Sequence, residues 1–250
     1  MAAIEEGIIA HRGGAATAPE NTMASFRQAA SNGIKWIETD ISLLADKQLI
    51  ICHDPSVDRC SNGSGQLADM TLNDIAKLDN GGWFGPEFTG ETFPLLAPAL
   101  REVDALGLSV NLEFKIHANE AADLVPRMME CLRNNWSNPE RLLISSFHWD
   151  GLRMVRDMDP DVRIGLLMHA LEPGWQELSQ EINAYSIHAD HKCLNAADVA
   201  AVKDAGLALY IFTPNDPEAV SKFWDLGIDA VITDDPLAFR QAHASAPALA

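Results

Sequence analysis

Basic residues are scarce in this 250-residue chain. Eighteen Lys and Arg stand against 36 Asp and Glu, a formal net charge of −18. That balance argues against nucleic acid and anionic membrane surfaces as partners, since both are gripped through basic patches. It also makes an anionic substrate awkward unless a metal or local cations reverse the field at its site. Cysteines are few, and Cys52, Cys60, Cys131 and Cys193 have neither metal-ligand spacing nor the density of a disulfide framework. Cys52 sits in an apolar run and reads as an inert core thiol. No run approaches the length of a membrane span, and residues 1–7, MAAIEEG, lack the basic start and apolar core of an export signal. The expectation is a soluble, reduced, cytoplasmic protein with no stable membrane association. No linker-like stretch divides the chain, so residues 1–250 are expected to form one domain. Unit lengths vary too much for a solenoid.

What is present is concentrated in residues 8–54. The apolar run Ile8-Ile9-Ala10 opens into His11-Arg12-Gly13-Gly14, as a buried strand does when it enters a loop. A helical pattern covers 21–31, with Met23, Phe26 and Ala30 on one face and Asn32-Gly33 as the stop. A second strand, 36–42, carries Glu38 and Asp40 at i and i+2, so both carboxylates leave the same face. A third, 49–54, holds His53. Only about six residues separate these two strands, too few for a parallel return, so they should form an antiparallel hairpin turning near Asp46-Lys47. That hairpin brings His53 back opposite Glu38 and Asp40.

Residues 55–96 read as an insertion rich in glycine (Gly63, Gly65, Gly81, Gly82, Gly85, Gly90) with one helix, 71–78, opened by a Thr71–Asp74 capping box. Trp83, Phe84, Phe88 and Phe93 are expected to give it a small core. From Ala97 onward strands and helices alternate, with Pro126 expected to kink the helix at 119–133. The tail 244–250 is expected to fray. Nine strands result, and setting aside the hairpin return leaves eight in βα order, the number that a closed TIM (β/α)8 barrel requires. An open doubly wound sheet is the rival, but Gly13-Gly14 after His-Arg does not fit G-x-G-x-x-G.

In a barrel the carboxyl ends of the strands build the active site. There lie His11 and Arg12, Glu38 and Asp40, Glu113 and Lys115, His188, and Phe212-Thr213. Three carboxylates in one pocket repel each other and stay partly protonated unless a cation holds them. A hard divalent ion with oxygen ligands, Mg²⁺ or Ca²⁺, suits them. With that ion the carboxylates keep one negative charge, and Arg12 with Lys115 turns the site positive by one, matching a phosphodiester. Two histidines supply a base for the attacking hydroxyl and an acid for the leaving alkoxide. His188 and His191 divide between site rim and structure, and Asp190, if it faces the site, weakens the charge match. His117, His148, His169 and His243 read as surface or structural.

The motifs together resemble the glycerophosphodiester phosphodiesterase family over nearly the whole chain. His11-Arg12-Gly13 followed by Pro19-Glu20-Asn21-Thr22 looks like its opening motif, with Glu38-x-Asp40 and His53-Asp54 at similar spacing. Arg59-x-x-Asn62-Gly63, Pro94-Leu95-Leu96, Glu113-x-Lys115 and Thr213-x-Asn215 follow in order. The resemblance implies a barrel in which Glu38, Asp40 and Glu113 bind the metal. It implies His11 and His53 as the acid–base pair, and Arg12 and Lys115 as phosphate ligands. The products are then sn-glycerol 3-phosphate and an alcohol. Phe212 stands where similar proteins carry Trp or Tyr, which keeps stacking and loses a ring hydrogen bond. Besides a non-catalytic phosphate-binding protein, two other readings stay open at this point. One is a lysophospholipase D-type enzyme with an acyl groove at Trp83, Phe84 and Phe88. The other is a Mg²⁺-dependent barrel lyase or aldolase using Lys115.

Overall fold

Eight parallel strands close on themselves, and a ninth lies outside the ring. The computed structural model describes residues 4–245. In chain order come β1 (Ile8–Ala10), α1 (Met23–Ser31), β2 (Trp36–Leu43), β3 (Leu49–Ile51), α2 (Leu72–Ile75), α3 (Leu96–Ala105), β4 (Ser109–Phe114) and α4 (Ala121–Asn135). Then follow β5 (Leu142–Ser146), α5 (Trp149–Met158), β6 (Ile164–Met168), α6 (Trp175–Glu181), β7 (Ser186–Asp190) and α7 (Ala196–Asp204). The chain finishes with β8 (Ala208–Phe212), α8 (Ser221–Asp225), β9 (Ala230–Thr233) and α9 (Pro236–Ser245). The barrel runs β1-β9-β8-β7-β6-β5-β4-β2, and β1 pairs with β2 to close it. This is a TIM barrel. Its strands are short apolar runs buried on both faces, as parallel strands covered by helices must be.

The expected hairpin is present. β3 pairs antiparallel with β2 in the register Ile41↔Ile51, Ser42↔Ile50, Leu43↔Leu49, and Lys47 takes a left-handed φ of 66° at the turn. β3 ends at Ile51, so His53 stands just beyond the strand; Cys52 still donates its N–H to the Asp40 carbonyl at 3.0 Å, which carries the chain back toward β2.

Three apolar assemblies organise the molecule. Ile9, Trp36, Leu143, Tyr210, Ala230 and Ile232 fill the barrel interior. The helices pack outside on a layer that includes Ile37, Ile41, Val110, Leu112, Phe114, Ile144 and Leu209. The inserted segment has its own core of Leu44, Ile50, Cys52, Val57, Leu67, Ile75 and Phe93. Here the expectation for its aromatics is corrected. Phe93 joins that core, whereas Trp83, Phe84 and Phe88 form an edge-to-face row near the surface, with ring centroids 5.7 and 5.5 Å apart. The aliphatic side chains of the β3 end and of the two short helical turns reach the interior first.

The Thr71–Asp74 capping box is present, but α2 stops at Ile75. α4 runs unbroken through Pro126. The donor that proline lacks belongs to the carbonyl of exposed Ala122, which water can satisfy. The helical stretch after Asp216-Pro217 begins as a 3₁₀ turn and becomes α-helical only at Ser221. The expectation for the His243 side chain and most of that for the tail fall outside the described residues. No helix among the described residues is long and apolar enough to cross a membrane.

Candidate active site

β2 and β4 set the centre of the site. Their register places Asp40 beside Glu113 and Glu38 beside Asn111. Because Glu38, Asp40 and Glu113 share the inward face at the carboxyl end, one oxygen from each lies within 4.8 Å of the others, all three residues buried. Cations surround them unevenly. The Lys115 ammonium contacts Glu113 and lies 3.1 Å from Asp40 Oδ1. Arg12 Nε is 3.4 Å from Asp40 Oδ2, and Asn21 Nδ2 donates to that same oxygen at 2.8 Å. The Arg12 backbone N–H donates to Glu38 Oε2 at 3.0 Å, from a left-handed φ of 51°. Backbone strain of that kind persists where the surroundings over-determine it. Gly13, at φ 84°, lets the loop turn there; a Cβ would stand 2.4 Å from Ser25 Oγ.

Burial, the largest influence on each carboxyl, opposes ionisation of all three. It pushes Glu38 and Glu113 above the usual carboxylate range, with the charge of Asp40 adding to both. Against the same burial, Lys115 and then Arg12 hold Asp40 well below it. Glu38 Oε1 and Asp40 Oδ1 are buried with no hydrogen-bond partner, although Lys115 lies near the latter outside hydrogen-bond geometry. Unpartnered carboxylate oxygens crowded in a buried cluster fit a hard dication.

The two imidazoles are each backed by a carboxylate. His11 Nδ1 is 2.6 Å from Asp234 Oδ1, and its Nε2 lies 3.9 Å from Glu38 Oε2. Asn215 clamps Asp234: its Nδ2 donates to Oδ2 at 2.8 Å, and its Oδ1 accepts the Asp234 N–H at 2.9 Å. His53 Nδ1 is 2.7 Å from Asp54 Oδ1. Burial pulls the His11 pKa down, but the Asp234 hydrogen bond and the Glu38 charge outweigh it and leave it raised. Burial also pulls on His53, and there its partners do not make up the difference.

His11, Arg12, Glu38, His53, Glu113, Lys115 and Phe212 all line one cavity of about 230 Å³, with Asp40 beneath it. Thus the candidate acid–base, metal and phosphate-binding residues gather at one place, whereas His188 does not join them. Three expectations change. His169 is no structural bystander. It lines the cavity, its ring 5.1 Å from Phe147 and 6.2 Å from Phe212. His188 is fully buried in the barrel, stacked on Tyr210 at 4.8 Å, with Nε2 2.9 Å from Ser186 Oγ; burial drops its pKa to about 3. Asp190 and His191 do not line the cavity. Asp190 Oδ1 accepts the Lys192 N–H, and His191 Nδ1 is 3.0 Å from the Phe212 carbonyl, so the charge match loses nothing to Asp190. His148 caps α5, accepting the Gly151 N–H at 2.9 Å, and His117 lies 3.0 Å from Ser42 Oγ.

Asp234, Phe147 and His169 had a signal in the sequence. Each directly follows a barrel strand, where the rule used for His11 and Phe212 applies equally.

A closed βα barrel that collects its titratable groups at the carboxyl ends of its strands is an enzyme architecture. A sequence profile of the Glycerophosphoryl diester phosphodiesterase family matches residues 11–238. The chain belongs to that family. A glycerophosphodiester phosphodiesterase of Caldanaerobacter subterraneus subsp. tengcongensis is 36% identical to it over 231 residues, 92% of this chain and 94% of the relative. A glycerophosphodiester phosphodiesterase of Bacillus subtilis is 31% identical over 93% of this chain and 85% of its own. Among solved structures, an Oleispira antarctica phosphodiesterase in complex with the product sn-glycerol-3-phosphate matches with a TM-score of 0.92 and 32% identity, over 95% of this chain and 96% of that one.

Proposed function

We infer that this enzyme hydrolyses glycerophosphodiesters to sn-glycerol 3-phosphate and an alcohol, using one divalent ion, Mg²⁺ or Ca²⁺, and acid–base catalysis by His11 and His53. The observation that carries the reading is the buried triad Glu38, Asp40 and Glu113 beside two imidazoles that each have a carboxylate on Nδ1. An imidazole held that way turns Nε2 to the cavity. The product bound by the Oleispira antarctica relative agrees with the substrate class.

In this reading Glu38, Asp40 and Glu113 would hold the ion, which would supply positive charge to offset that of the reacting phosphodiester. Arg12 and Lys115 take the phosphate, and the Phe212 ring packs on its carbon substituents. One imidazole accepts the proton of the attacking hydroxyl, from water or from the glycerol of the substrate itself. The other protonates the leaving oxygen as the P–O bond breaks.

Lys115 is unsuited to Schiff-base chemistry. Its ammonium contacts Glu113 and lies 3.1 Å from Asp40. Burial lowers its pKa, but these two carboxylates outweigh burial and raise it, which works against the neutral amine that a Schiff base needs. Trp83, Phe84 and Phe88 do not line the cavity, which favours water-soluble headgroup diesters over lysolipids. The test is choline release from glycerophosphocholine and from lysophosphatidylcholine with each metal, the co-product being glycerol 3-phosphate from the first and acylated glycerol 3-phosphate from the second. Release from the soluble diester is expected. Preference for the lysolipid, or no release from any diester, overturns the assignment.

A further inference from the structure

Behind the cavity a continuous line of charged contacts joins the phosphate-facing arginine to one of the two imidazoles. Glu20, 8% exposed, comes from the loop between β1 and α1. Its Oε1 accepts from Arg12 Nη1 at 2.7 Å. Arg59 forks onto the same carboxylate, Nη1 to Oε2 at 2.6 Å and Nη2 to Oε1 at 2.8 Å. Its remaining donor, Nε, gives to Asp54 Oδ2 at 2.6 Å, and Asp54 Oδ1 faces His53 Nδ1. Two loops therefore meet in five side chains, and every donor group of the Arg59 guanidinium is engaged.

We propose that Glu20 and Arg59 are positioning residues for this reaction, fixing the spacing between the arginine that takes the phosphate and the histidine that moves the proton. The proposal rests on the roles given above to Arg12 and His53. Charge alone does not explain Arg59, whose side chain is 46% exposed, because water and salt screen a charge placed there. Geometry does. A guanidinium is rigid and planar, so a fork onto Glu20 fixes the direction in which Nε meets Asp54. A lysine is a point charge on a flexible stem and cannot hold both carboxylates in one orientation. The inserted segment after the hairpin thereby acquires a task beyond covering the barrel, since it carries the residue that aims Asp54.

The test uses Arg59→Met and Arg59→Lys, alone and combined with His53→Ala, with kcat and KM measured on glycerophosphocholine well below the Tm of each variant. Both single substitutions are expected to lower kcat ~10–100-fold, as loss of an outer-shell partner does, with KM within about threefold of the parent. In the His53→Ala background the same substitutions should add almost nothing, because no imidazole remains to be aimed. Glu20→Gln should lower kcat and raise KM together, since it also frees Arg12. An Arg59→Lys enzyme as active as the parent, or a loss equally large without His53, overturns the proposal. A second readout needs no substrate. The His53 Nδ1–H proton, held by Asp54, should give a hydrogen-bonded NMR signal that is lost to solvent exchange in Arg59→Met. A signal unchanged in Arg59→Met overturns the positioning role. A wild-type enzyme that cleaves no diester overturns the functional reading instead and leaves this measurement standing.

Discussion

Glu38, Asp40 and Glu113 repel one another, and the protein settles that repulsion unequally. Burial disfavours the ionised form of each. Lys115 and Arg12 together hold Asp40 below the usual carboxylate range, whereas Glu38, and Glu113 despite its contact with Lys115, stay above it. In the proposed reading a divalent ion offsets what remains. Chelation is therefore expected to abolish activity. Glu38→Ala should raise the metal concentration needed for half-maximal rate, with part of the rate returning at saturating metal; a chelator-resistant wild type would contradict this. The carboxylate behind His11 makes a sharper case. Asp234→Asn keeps the shape and loses the charge-assisted bond at 2.6 Å, so kcat should fall ~10–100-fold with little change in Tm. Thermal melts beside the kinetics check both halves of that statement. Asp54 ties the site to stability. Burial raises its pKa, but Arg59 and His53 outweigh burial and lower it from 3.8 to about 2. A depressed carboxyl stabilises the fold above its ordinary pKa, and that contribution is lost as pH falls through the folded value. Asp54→Asn should thus flatten the acid decline in stability between 3.8 and about 2, measured by urea unfolding across that range.

At the scale of elements, the hairpin explains why so much could be read in advance. A spacer of six positions leaves only an antiparallel return, and the register Ile41↔Ile51 is that return. Glu38 and Asp40 share a strand face by period alone, and Glu113 comes to them through parallel pairing with β2. What escaped the sequence has physical reasons. Asp234 is 223 positions from His11, and no local period records a partner at that distance. His169 is a single residue after β6, too short a signal to separate a wall from a surface. Trp83, Phe84 and Phe88 are bulky and apolar, but composition cannot say which apolar groups fill a small core when aliphatic ones compete. The strands also tolerate little change within the barrel. A Cβ added at Gly165 would stand 2.6 Å from His188 Nε2, in a fully buried layer. Gly165→Ala should destabilise by about 1–3 kcal/mol through overpacking, read by chemical denaturation.

For the whole molecule the relevant quantity is its field. The chain carries a net charge of −18, so on the proposed reading a net-negative diester is repelled at long range until it meets Arg12 and Lys115. Moderate salt shortens the reach of that repulsion. For an anionic diester such as glycerophosphoglycerol, kcat/KM should rise with ionic strength at constant metal, whereas a falling value would mean that the local cations dominate the approach. Barrel closure has a further consequence, one of timing. Ribosomes release a polypeptide from its amino end, so the three candidate ion ligands and both imidazoles emerge well before Asp234. Asp234 arrives only with β9, the strand that docks against β1. On the proposed roles, a nascent chain halted before that point carries the ingredients for gripping a cation but has nothing to steer His11, and so the completed ring, rather than the completed ligand set, would mark the birth of a working catalyst.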